Sequence, residues 1–229
     1  MKHTIPKLVE LGWKPFFSAQ VSAEERRACS AVRVMAVHRG MIEVLGEEIE
    51  GSVSSALPEP GGPEDRPTVG DWLLIDRDNR DLVRILDRQN LFKRPMPGDS
   101  RRAQLIAANV DTLFIVSSCN QDFSVARLER YLVLAREVGV KPVVVLTKAD
   151  LVEAPARYLE AARGLQALLE VEMINGRDPD SSARLAARCG PGHTIALVGS
   201  SGVGKSTWCC QSNANRSPHS AGRSLKLAV

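Results

Sequence analysis

No apolar run in this 229-residue chain approaches the ~20 residues needed to span a bilayer. Its opening stretch, "MKHTIPKLVELGWKPFF", lacks the apolar core of a secretory signal. A cytoplasmic location, away from any membrane, is therefore the expectation. No charge of one sign dominates either. Thirty Lys plus Arg against 27 Asp plus Glu leave +3, too little by itself to signify nucleic-acid binding. Cys29, Cys119, Cys189, Cys209 and Cys210 are odd in number and scattered, which excludes a disulfide framework and suits a reducing compartment. Adjacent Cys209 and Cys210 lack the C-x(2–4)-C spacing of a zinc site, and His219 stands alone, so no zinc is expected.

What is present falls into regions of different rhythm. "AVRVMAV", "MIEVL", "EIEGSV", "VGDWLLI" and "LVRIL" read as five short strands, with "ALPEPGGPEDRPT" an exposed loop. Five strands in so short a stretch suggest a Greek-key barrel of the OB-fold type, with any small antiparallel barrel or sandwich as the alternative. From Gln104 the pattern alternates strand and helix. "DTLFIVSS" reads as a strand. "SVARLERYLVLAREVG" reads as a helix capped by Ser124, with Val125, Leu128, Leu132 and Ala135 on one face. Strand "PVVVL", helix "APARYLEAARGLQALLE", strand "VEMI", helix "SSARLAARCG" and strand "TIALVG" follow. Such alternation builds a parallel sheet covered by helices, whose ligands sit beyond the carboxyl ends of its strands. The expected organisation is an N-terminal extension over 1–30, a barrel over 31–97, an α/β domain over 98–207 and an unstructured tail over 208–229.

"GSSGVGKS", Gly199 to Ser206, matches the phosphate-loop pattern G-x-x-x-x-G-K-[ST] directly after a strand. Its glycines let backbone N–H groups close on phosphate oxygens; Lys205 reaches the β and γ phosphates, and the Ser206 hydroxyl ligates Mg²⁺. The spacing of a dinucleotide fingerprint is absent. "TKAD", Thr147 to Asp150, follows strand "PVVVL" at the same sheet edge. A carboxylate there accepts from the N1–H and exocyclic amine of guanine, a donor pair that adenine lacks. Asp150 would thus select GTP, while Lys148 lays its stem along the base. The base-reading motif precedes the phosphate loop, the reverse of the usual order. A parallel sheet depends on which strands are neighbours rather than on which comes first, so the order points to circular permutation.

These segments together resemble the RsgA (YjeQ) family of small-ribosomal-subunit biogenesis GTPases. The resemblance runs from "LGW" at Leu11 through "VGDW", "QLIAANVDTLFIVSS", "RLERYLVLA" and "TKADL" to "GSSGVGKST". It implies an OB-fold barrel that binds ribosomal RNA, a circularly permuted α/β P-loop GTPase domain, and a zinc domain beyond. The factor would bind the maturing small subunit as a monomer and leave it on GTP hydrolysis. It also implies nucleotide contacts at Thr147, Lys148, Asp150, Gly199, Ser200, Ser201, Gly202, Val203, Gly204, Lys205, Ser206 and Thr207. Thr147 stands where many GTPases have Asn. "NGRD" at Asn175 to Asp178 lacks the Ser-Ala of the second base loop.

After Thr207 the resemblance stops. "WCCQSNANRSPHS" is not an amphipathic helix, and no switch Thr, Asp-Thr-Pro-Gly motif or zinc cluster follows. The expectation is an incomplete GTPase domain with an unrelated tail, an open sheet edge, no identifiable catalytic residue and poor hydrolysis. A barrel that binds RNA beside an inert nucleotide domain is the alternative. Arg33, His38, Arg39, Lys93, Arg94, Arg101 and Arg102 are the candidate RNA contacts, each also readable as part of a solvated charged face. A phosphate-loop kinase using ATP is a third reading.

Overall fold

The computed structural model describes residues 7–58, 62–96, 99–175, 178, 181, 185, 190–206 and 226–228. The chain divides into two compact units. One contains the residues through Val110 together with Pro191–Thr194; the other contains Asp111–Gly190, the chain from Ile195 and the strand Lys226–Ala228.

In the first unit, β1 (Cys29–Val37), β2 (Met41–Gly46), β3 (Glu50–Ser54), β4 (Trp72–Asp76) and β5 (Leu82–Ile85) form an antiparallel sheet ordered β3-β2-β1-β4-β5. Gly40, at φ +78°, supplies the left-handed residue of the β1–β2 turn. Alternation with period two sends Val32, Val34, Ile42, Val44, Val53, Leu73 and Ile75 to one face, where they form a core. This ordering, with β1 central, is that of a partly open OB barrel.

The opposite face is covered as well. Leu11, Phe17 and Val21 bury against Leu45, Trp72, Leu74 and Leu86. Those three come from the segment before β1. It folds as a 3-10 turn (Leu8–Leu11), α1 (Pro15–Ser18) and α2 (Ala23–Ala28). Ser22 and Glu25 start α2 with a reciprocal cap: the Glu25 N–H donates to Ser22 Oγ at 3.1 Å, and the Ser22 N–H donates to Glu25 Oε2 at 2.8 Å. Trp13 meets Trp72 edge-on, with centroids 4.8 Å apart. Described residues of the 1–30 extension are thus half of a core, and each large side chain so buried contributes about 1.5–3 kcal/mol.

A further ribbon joins β6 (Leu91–Met96) to β7 (Asp99–Ala108). Residues 99–108, assigned above to the α/β domain, are strand β7 of the first unit, and the break between units falls after Val110 rather than at residue 97. Pairing with β6 keeps β7 on the barrel side of that break.

The second unit is a wholly parallel sheet of β8 (Thr112–Ser118), β9 (Lys141–Thr147), β10 (Glu170–Met173), β11 (Ile195–Val198) and β12 (Lys226–Ala228), ordered β10-β9-β8-β11-β12. Helix α3 (Val125–Val138) has Ser124 as its cap, and Leu128, Leu132 and Ala135 are buried as their spacing predicts; Val125 is exposed. Helix α4 (Ala156–Arg163) is shorter than the reading from 154 to 170. The chain turns at Gly164, and Leu168 sits fully exposed at φ +59°, a conformation no helix continues through. Of the helix expected over 181–190, Ser181 and Leu185 are described and buried; 182–184 and 186–189 lie outside the described residues.

The tail expectation needs correction for three residues. Lys226–Ala228 pair in parallel with Ile195–Leu197. An uncovered β11 would present a row of unpaired N–H and C=O groups, and a short strand satisfies them. Residues 207–225 and 229, with Thr207, Cys209, Cys210 and His219, lie outside the described residues. The chain proceeds from β8 outward to β10, then returns to lay β11 on the other side of β8. That reversal places a topological switch point at the carboxyl ends of β8 and β11.

Candidate functional site

The loop "GSSGVGKS" leaves β11 at this switch point. Gly199, Gly202 and Gly204 have φ of +149°, +77° and +96°. A Cβ on Gly199 would lie 2.2 Å from the Val116 carbonyl oxygen, so the loop presses against β8 where only glycine fits. Val203 anchors the turn from below. It is buried with Phe114, Val116, Val143, Val145 and Leu197. Glycine freedom above and an apolar plug beneath hold the loop in a fixed curve, the form in which successive backbone N–H groups enclose an anion.

Lys205 folds over the loop. Its Nζ donates to the carbonyls of Gly199 at 2.7 Å and Ser200 at 2.8 Å. Burial pushes the ammonium below the ordinary lysine range. A cation held only by neutral carbonyls can exchange them for phosphate oxygens at little cost. Ser201, Gly202 and Ser206 are exposed.

Thr147 ends β9 and is buried. Its hydroxyl donates to the Val203 carbonyl at 2.7 Å, and its own carbonyl accepts from the Cys119 N–H at 2.8 Å. Thr147 therefore ties the motif "TKAD" to the middle of the phosphate loop and to the loop after β8. Lys148 next adopts a left-handed conformation, φ +58° and ψ +28°. That backbone is uncommon for a residue with a side chain and costs about 1 kcal/mol. It turns the chain into a 3-10 turn, Ala149–Leu151, which presents Asp150 exposed. Of "NGRD", Asn175 and Asp178 are described. Ile174 donates to the Leu146 carbonyl at 2.8 Å, which sets Asn175 beside the end of β9. Asp178 accepts from the Ser181 N–H at 3.3 Å.

One participant was not singled out from the sequence. Arg127, in the first turn of α3, donates through Nη1 to the Ser200 hydroxyl. An arginine in the first turn of a helix that holds no acid in that turn was the available signal.

The barrel's candidate RNA contacts divide. Arg33 is 3% exposed, so it cannot face a polyanion. It donates to the carbonyls of Leu11 and Asn109 and to Thr194 Oγ1 at 2.6 Å, and it lies over the Trp72 ring at 5.6 Å. Those partners allow an arginine to be buried, and its assignment as an RNA contact is withdrawn. His38 lies 3.4 Å from Glu43, and Lys93 lies 2.6 Å from Glu64. Arg94 donates to Gln104 at 3.0 Å. Arg39 and Arg94 are exposed. The side chains of Arg101 and Arg102 lie outside the described residues.

A sequence model of the family described as "RsgA GTPase" matches residues 85–217. The chain is 45% identical over 202 residues to the "Small ribosomal subunit biogenesis GTPase RsgA" of Mesorhizobium japonicum, which covers 88% of this chain and 57% of that protein. It is 43% identical to "Small ribosomal subunit biogenesis GTPase RsgA 2" of Vibrio parahaemolyticus, covering 87% and 54%. The chain spans about half the length of the curated relatives it matches. Among solved structures, YjeQ from Thermotoga maritima matches with a TM-score of 0.64 at 23% identity, covering 82% of this chain and 66% of that one. YloQ, described as a circularly permuted GTPase, matches with a TM-score of 0.57 at 26% identity, covering 78% and 62%. The fold is thus an OB-like antiparallel unit followed by a permuted P-loop α/β unit.

Proposed function

Because the chain belongs to the RsgA GTPase family, we propose that its α/β unit binds guanine nucleotide and that the whole serves maturation of the small ribosomal subunit. The observation that carries this reading is the Thr147–Val203 hydrogen bond, which joins the base-reading motif to the phosphate loop. Asp150 and Lys148 read the base. Gly199 through Thr207 hold the phosphates, with Lys205 leaving the Gly199 and Ser200 carbonyls to meet them. The exposed Ser206 hydroxyl would hold Mg²⁺, which when bound would neutralise phosphate charge. Binding is the better-supported act.

The barrel contacts ribosomal RNA through its exposed basic residues, Arg39 and Arg94 among them. We place the factor in the cytoplasm as a monomer; among the described residues no helix is long and apolar enough to cross a membrane. The test is displacement of a fluorescent GDP analogue. GTP and GDP compete at micromolar concentrations and ATP fails at a hundredfold excess, about 2.7 kcal/mol of discrimination. Equal competition by ATP would overturn guanine specificity, and no binding of the analogue would overturn the nucleotide site.

A further inference from the structure

Ser200 receives two cations. Its carbonyl accepts from Lys205 Nζ at 2.8 Å, and its hydroxyl accepts from Arg127 Nη1. The same Arg127 nitrogen donates to the Asp122 carbonyl at 3.3 Å. Both partners of the guanidinium are neutral, and among the described residues it pairs with no carboxylate. Asp122, whose carbonyl it meets, turns its carboxylate to Asn120 Nδ2 at 3.4 Å.

Arg127 also stands at the unfavourable end of its helix. It is the third residue of α3, and its N–H donates to the capping Ser124 hydroxyl at 3.3 Å. The first turn contains no acid. A cation there meets the positive end of the helix dipole rather than the negative one. Two positive side chains, a helix's positive end and a glycine-rich turn of backbone N–H groups therefore gather, and among the described residues neither side chain is ion-paired. Such a field favours a ligand whose own charge is large.

Resting on the nucleotide reading above, we propose that Arg127 is a positioning residue of the phosphate site. Through Ser200 it fixes the first turn of the phosphate loop, and its charge strengthens binding in step with the number of phosphates. Lys205 and Arg127 act from two sides of the same residue. Lys205 is supplied by the loop itself and moves with it. Arg127 is supplied by α3, so it ties the loop to a helix that does not belong to the motif.

The experiment measures affinities for GMP, GDP and GTP, with thermal melts alongside, for the full chain and for Arg127→Gln, Arg127→Lys and Ser200→Ala. Gln keeps a donor without charge, and Lys keeps charge without the planar fork. Arg127→Gln is expected to weaken GTP about tenfold, the scale of one charge-assisted contact, GDP less, and GMP within about twofold. Arg127→Lys should stay within about threefold of the unaltered chain for GTP, and Ser200→Ala should absorb part of the Arg127→Gln effect when the two are combined. A GTP-to-GMP affinity ratio unchanged by Arg127→Gln, through no effect or through equal loss on both, would overturn the role while leaving the nucleotide site standing. An unaltered chain that binds no guanine nucleotide would remove the nucleotide reading and this role with it.

Discussion

The Thr147 hydroxyl donates to the Val203 carbonyl across the end of the sheet at 2.7 Å. Both residues are buried, so neither partner has water to turn to if the other is lost. Thr147→Val keeps the shape and removes the donor, which strands a buried carbonyl at a cost of about 1–3 kcal/mol. Thr147→Ser retains the bond. Urea unfolding should separate the two variants by that amount, and guanine-nucleotide affinity should fall for Val alone, because the phosphate loop loses its tie to "TKAD". Equal affinities for both variants would mean that the loop holds its curve unaided.

Asp150 allows the opposite separation, selectivity without stability. It is exposed in its 3-10 turn and makes no hydrogen bond among the described residues. Asp150→Asn should leave the melting temperature within about 1 °C, as expected of an exposed site. The preference for GTP over ATP should shrink by about tenfold or more, because an amide cannot accept from both guanine donors at once. Competition titrations with the two triphosphates report this directly, and unchanged selectivity would show that the base is read elsewhere.

Arg33 and Arg94 both lie in strands of the first unit, the former buried and the latter exposed. Arg33→Ala removes a buried guanidinium from the Leu11 and Asn109 carbonyls, Thr194 and the Trp72 ring. The expected loss is about 2–4 kcal/mol of stability. Arg94→Ala leaves stability within about 0.5 kcal/mol and lowers the slope of log affinity for RNA against log salt by about 1. A salt slope that Arg94→Ala does not move would take Arg94 out of the RNA surface.

These contrasts show which parts of the molecule a linear reading reaches. Local pattern sufficed for the strands that carry Val32, Val34, Ile42 and Val44 and for α3 with its Ser124 cap, and it located "TKAD" and "GSSGVGKS" at the ends of β9 and β11. Pattern failed where tertiary partners decide. Arg33 is buried because carbonyls from distant segments meet it, whereas an isolated arginine in a strand reads as solvent-facing. Residues 7–28 fold in turns too short to show a period. Pro95 and two bulges hide β6 and β7 from any alternation count. Leu165, Leu168 and Leu169 prolong the apolar rhythm of α4 past its end at Arg163. Lys226–Ala228 become a strand only because β11 offers an edge. Arg127 reaches a residue 73 positions away, a distance that no local signal spans.

The pH dependence of the barrel unit follows from Glu25. Arg84 donates to its Oε1 at 2.7 Å and to its Oε2 at 3.2 Å, and the Ser22 N–H donates at 2.8 Å. The Arg84 hydrogen bonds, with that N–H second, hold the carboxyl down from 4.5 to about 2. A carboxylate whose folded value is depressed adds stability that is complete above the unfolded value and lost as pH falls through the folded one. The loss therefore runs from about pH 4.5 down to about pH 2. The side chains of Arg84 and Glu25 remain 37% and 26% exposed, so solvent screening limits the contribution to about 1 kcal/mol. Glu25→Gln keeps an acceptor for Ser22, and with it the capping box, while removing the charge. At pH 6 the unaltered chain should be more stable than Glu25→Gln by about 1 kcal/mol in urea unfolding, and the gap should close steadily as the pH is lowered through that window. Stability curves that stay parallel across it would show that Arg84 is held by the Gln20 carbonyl, which it also meets at 2.7 Å, rather than by the charge of Glu25.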